Sequence, residues 1–80
     1  MVHIKNIKKE NNFITFDGYI CNREDKHFFM KIDLNTCKPV ECSLEMNHDV
    51  TMAMMKVLYA VAGAKRENKT LPRELVSASH

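Results

Sequence analysis

The feature that most constrains this chain is a strict alternation of side-chain character in three consecutive short segments. In Phe13-Ile-Thr-Phe-Asp-Gly-Tyr-Ile-Cys21, the residues Ile14, Phe16, Gly18 and Ile20 share one side of an extended backbone. Phe13, Thr15, Asp17, Tyr19 and Cys21 share the other. A period of two is the signature of a half-buried strand, and β-branched and aromatic residues suit a pleated surface. The pattern repeats over residues 27–34, where Phe28, Met30, Ile32 and Leu34 alternate with His27, Phe29, Lys31 and Asp33. It returns over residues 40–45, with Val40, Cys42 and Leu44 expected inside and Glu41, Ser43 and Glu45 outside.

The links between these segments are short and polar. Residues 22–26 and the Asn35–Pro39 stretch read as turns, so consecutive strands are expected to pair as antiparallel neighbours. Setting Gly18 opposite Met30 places Asp17 against Lys31 and Tyr19 against Phe29. Setting Met30 opposite Cys42 places Lys31 against Glu41. Opposite charges and aromatic pairs across strands are favourable. Residues 2–9 supply a first strand, in which Val2 and Ile4 fit one face and Ile7 falls on the other. A bulge near Lys5-Asn6 reconciles them. Lys5, Lys8 and Lys9 suit an edge strand, which must avoid pairing with other chains.

The period then changes. Residues 49–67 read as one helix, with Asn47 or Asp49 capping its start and Lys65 and Arg66 at its negative end. Met54, Leu58 and Val61, with Val50, Val57 and Ala62 beside them, are expected to lie on the sheet. The expected fold is therefore α+β: an antiparallel four-stranded β-meander, one long helix packed on one sheet face, and a short C-terminal tail. Thr70–Val76 is read as a single helical turn, with Leu71 and Leu75 packing on the domain. Residues 1–76 form one domain, and residues 77–80 a loose tail. Eighty residues with 45% apolar content are enough for one small core.

Charge and composition exclude more than they assign. The formal charge is +2. Residues 1–47 hold seven basic and seven acidic residues, and residues 48–80 hold five and three, so the surplus lies in the second part. The opening residues lack the apolar stretch of a signal peptide, and no apolar run approaches the roughly 20 residues of a membrane span. Three cysteines, an odd number, read as reduced thiols in a cytoplasmic setting.

Five features bear on function. The helix side away from the expected core carries Met52, Ala53, Lys56, Tyr59, Ala60 and Gly63, which include small residues and typical interface residues. This is the leading candidate for an interface, either between copies of the chain or with another protein, unless the tail folds back across it. The outer sheet face carries His3, Lys5, Phe13, Asp17, Tyr19, Phe29, Lys31, Glu41 and Glu45, with Lys31 expected to be neutralised by Asp17 and Glu41. The basic residues Lys65, Arg66, Lys69 and Arg73 give the alternative reading, a small nucleic-acid-binding protein. Cys21, Cys37, Cys42, His27 and His48 lack the paired spacing of a zinc site, so no metal or other cofactor is expected. Cys37 beside Lys38, and His48 beside Asp49, do not amount to a nucleophile with its base, and there is no phosphate-binding glycine loop. The expectation is a non-enzymatic interaction or regulatory module, with no membrane partner.

Overall fold

The structure, a computed structural model, describes residues 2–20 and 27–77. Five strands and one helix follow in the order β1 (Val2–Glu10), β2 (Phe13–Ile20), β3 (His27–Asp33), β4 (Lys38–Cys42), α1 (His48–Glu67) and β5 (Leu75–Ser77). All strand pairs are antiparallel, and the sheet order is β4-β3-β2-β1-β5. The α+β meander with its single packed helix is thus present, enlarged by a fifth strand. The 22–26 turn and residues 78–80 lie outside the described residues, as does Cys21.

The alternation does what its period requires. Ile14, Phe16, Ile20, Phe28, Met30 and Ile32 all point under the helix and are buried. The expected irregularity in the first strand is also there. Lys5 faces Asp17 and Lys8 faces Thr15, so Asn6 and Ile7 together oppose Phe16. Asn6 takes the left-handed conformation (φ 57°), which asparagine tolerates better than most residues. The inserted residue turns Ile7 inward, where it joins Val2 and Ile4 in the core.

The β2–β3 register differs from expectation by two residues. Gly18 faces Phe28, Phe16 faces Met30 and Ile14 faces Ile32. A shift of two keeps every side chain on its face, so the hydrophobic pattern is equally satisfied by both registers. Packing decides between them. The Phe28 ring lies over Gly18, and a β-carbon there would collide with it. The same ring meets Phe16 edge-on, with centroids 6.0 Å apart.

The β3–β4 register agrees at Met30–Cys42 and Lys31–Glu41 but slips before Ile32, which faces Pro39. Val40 is the extra residue. It is 52% exposed rather than inside, and Leu44, beyond the strand end, is exposed as well. Cys42 alone of that trio packs against the core. Bulge and proline together leave β4 a poor template for further pairing along the sheet edge.

Helix α1 begins where its cap requires. The Val50 amide donates to Asn47 Oδ1 at 2.9 Å, and Asp49 lies in the positive first turn. At the other end Asn68 is left-handed (φ 56°), and the Lys69 amide donates to the Ala64 carbonyl at 2.9 Å. The buried residues of the helix are Val50, Ala53 and Val57. Met54, Leu58 and Val61 flank that line instead of forming its centre, and Ala62 is exposed. Placing Ala53 against the sheet lets the helix backbone approach closely. Its closest strands are β5, β1 and β2.

The tail does not form a helical turn. After Asn68 it runs along β1, where the Ile7 amide donates to the Arg73 carbonyl at 3.2 Å. It then pairs as β5, with Ile4 facing Leu75, His3 facing Val76 and Val2 facing Ser77. Ser77 therefore belongs to the sheet and not to a loose end. The outer edge of β1 has unsatisfied backbone groups, and satisfying them outweighs a single turn of helix, which is costly to nucleate. Leu71 and Leu75 do pack on the core, as expected, but from the sheet edge.

Candidate functional site

The described part of the tail leaves the outward side of α1 uncovered. With residues 75–77 hydrogen-bonded to β1, residues 69–77 do not cross Met52, Met55 or Tyr59. Tyr59 is 70% exposed, Met55 39% and Met52 37%. Residues three, four and seven apart share one helix face, so these three form a continuous stripe. Lys56, four residues from Met52 and three from Tyr59, is exposed in the same stripe, whereas Ala60 and Gly63 are half-buried. Ala53 departs from the expected set. It is 0% exposed and belongs to the core line, because the helix is turned on its axis relative to the expected face. Met55, which is in neither expected set, takes its place. Its spacing from Met52 and Tyr59 was the available signal. The Met46 and Leu44 side chains, in the segment leading into the helix, are exposed too.

Of the four basic residues read as a nucleic-acid contact, Lys65 and Lys69 line a groove of about 660 Å³ at the C-terminal end of α1, together with Lys9 from the end of β1. Arg66 and Arg73 do not line it. The groove lies between the second half of the helix, the β1–β2 turn and the β3–β4 turn. Its floor is built from Leu34, Leu58, Val61 and Leu71, all partly buried against the core. Cys37 forms part of its wall, in a left-handed turn position (φ 58°), and its thiol lies 3.8 Å from the Leu34 carbonyl. This feature comes from two turns, the helix and the segment that follows it, and no contiguous sequence pattern announces it.

The outer sheet face is an organised polar surface. Asp17 accepts a hydrogen bond from Asn6 Nδ2 at 2.9 Å and one from His27 Nε2 at 2.9 Å. Partial burial pushes the Asp17 carboxyl up. The hydrogen bonds from Asn6 and His27, with the charges of His27 and Lys8, outweigh it, so the group sits below its ordinary value of 3.8. The His27 ring stacks at 4.9 Å on Tyr19, the cross-strand neighbour that Phe29 was expected to be. Lys31 forms no ion pair with Asp17 or Glu41 among the described residues. It lies over the Phe13 ring at 4.6 Å, and Lys5 lies over Tyr19 at 5.6 Å. The cations on this face are therefore held by aromatic rings, contrary to the expected neutralisation by carboxylates.

Among the described residues, no group of three or more His, Cys, Asp or Glu is placed to hold a metal ion. No helix among the described residues is long and apolar enough to cross a membrane. Comparison with protein-family models, with curated proteins and with solved structures finds no match.

Proposed function

We propose that this chain is a non-enzymatic protein-interaction module that pairs with a second copy of itself through the outward face of α1. The observation that supports this is the stripe of Met52, Met55 and Tyr59, left open because the tail is committed to the sheet edge. Monomeric proteins rarely expose contiguous apolar patches of any size. Methionine adapts its shape to a facing surface, and tyrosine offers a large contact with a polar tip. A two-fold axis sets the same patch of both copies face to face, and the long side chain of Lys56 can lay its alkyl stem along the apolar surface while its ammonium reaches water. The free thiols of Cys37 and Cys42 suit a reducing cytoplasm. Among the described residues the Cys37 thiol has the Leu34 carbonyl as its hydrogen-bond partner and no base paired with it, which favours a binding role over a thiol enzyme.

The test is sedimentation equilibrium over a range of protein concentration, at low and high salt, with reductant present. A dimer that persists at high salt and is lost in Tyr59→Lys and Met55→Lys, with folding retained in both, is the expected result. A monomer at every concentration overturns the proposal. A dimer that dissolves with salt points to charges elsewhere and overturns it equally.

A further inference from the structure

We infer that the groove at the C-terminal end of α1 is a binding site for a small amphipathic carboxylate, meaning an aliphatic chain that ends in one carboxylate group. Its volume, about 660 Å³, falls within the ~300–1,000 Å³ range of small-molecule sites. The floor is aliphatic, made by Leu34, Leu58, Val61 and Leu71. The rim is cationic, made by Lys9, Lys65 and Lys69. Among the described residues no carboxylate side chain lines it. An apolar floor beneath lysines of one sign matches a ligand with an apolar body and an anionic head.

Two further details agree with that polarity. The carbonyls at the helix end would repel an anion, but two of them are already occupied. The Asn68 amide donates to the Lys65 carbonyl at 3.4 Å, and the Lys69 amide to that of Ala64 at 2.9 Å. The ammonium group of Lys69 pairs with Glu67 at 3.2 Å, but both side chains are largely exposed. Such a pair contributes little and leaves the lysine available to a competing carboxylate. The groove adjoins the Met52–Tyr59 stripe at Ala62, three residues from Tyr59, but its lining includes none of Met52, Met55 and Tyr59.

The experiment is a titration of the full, reduced chain with decanoate, followed by amide chemical shifts, alongside decylammonium and decanol. Decanoate is expected to give saturable shifts at Leu34, Cys37, Val61 and Lys65, and to slow alkylation of Cys37. Lys9→Glu with Lys65→Glu, both exposed positions, is expected to weaken binding about tenfold or more, the scale of one lost charge-assisted hydrogen bond. Ala62→Trp, also at an exposed position, fills the groove from its helix side and is expected to abolish binding without touching the rim charges. Equal binding of decanoate and decylammonium overturns the inference. So does an absence of saturable shifts, or shifts confined to Met52, Met55 and Tyr59.

Discussion

The ring of Phe28 occupies the space above Gly18 that a β-carbon would fill on any other residue. An interior glycine ordinarily weakens a strand, by roughly 0.5–1 kcal/mol relative to alanine. Here the sign should reverse. Gly18→Ala is expected to destabilise the protein by about 1–3 kcal/mol, because the Phe28 ring must leave its site against Phe16. Urea denaturation measures this. In Gly18→Ala combined with Phe28→Leu, the loss should fall clearly below the sum of the two single changes.

The bulge in β1 makes a separate demand on Asn6. At φ 57° a β-branched side chain is strained, so Asn6→Val is expected to cost about 1–2 kcal/mol. Asn6→Gly relieves the backbone and forfeits only the hydrogen bond to Asp17, so its loss should stay near 1 kcal/mol or less. If valine proves as well tolerated as glycine at this position in thermal denaturation, the bulge is not what orients Ile7.

Asp17 gives the fold a pH dependence with a defined sign. Its carboxyl sits below the ordinary 3.8 in the folded protein, so the unfolded chain takes up the proton first as pH falls. The stabilisation is therefore fully present above 3.8 and is lost as pH drops through the lower, folded-state value. The difference in urea midpoint between the wild type and Asp17→Asn should be constant at neutral pH and should shrink on acidification below that point. Replacing His27 by Ala should reduce the difference, since His27 supplies one of the two hydrogen bonds to the carboxylate.

The tail predicts a loss of both stability and solubility. Truncation after Thr70 removes Leu71 and Leu75 from the core and β5 from β1. The expected cost is about 2–4 kcal/mol. The exposed β1 edge should then drive association, measurable by light scattering during refolding.

What could be read from the sequence was whatever a period reports. The faces of β1, β2 and β3, the β1 bulge, the limits of α1 and Asn47 as one of its two candidate caps all follow from local pattern and local hydrogen bonding, whereas the bulge that turns Val40 of β4 outward does not. The β2–β3 register was not legible from parity, because a two-residue slip leaves every residue on its own side. The information lay in one steric relation, a glycine that needs a ring above it. The rotation of α1 was obscured by apolar residues on nearly all sides of the helix, so that Met55 stands where Ala53 was expected. The strand Leu75–Ser77 is too short to show a period, and its pairing is determined by the free edge of a strand at the other end of the chain. The groove had no local signature, since its lysines and leucines come from different elements.

The pairing of β5 with β1 joins nearly the two ends of the described chain, Ser77 against Val2. Among the described residues it is the strand pairing of greatest sequence separation and so among the slowest for a refolding chain to find, since closure of a long loop must precede it. Until it forms, the four-stranded meander and its helix must persist with β1 open on one side. The lysines that punctuate β1, at positions 5, 8 and 9, thus have a use in time besides their contacts in the finished molecule: they guard an edge that is vulnerable while the chain is still folding.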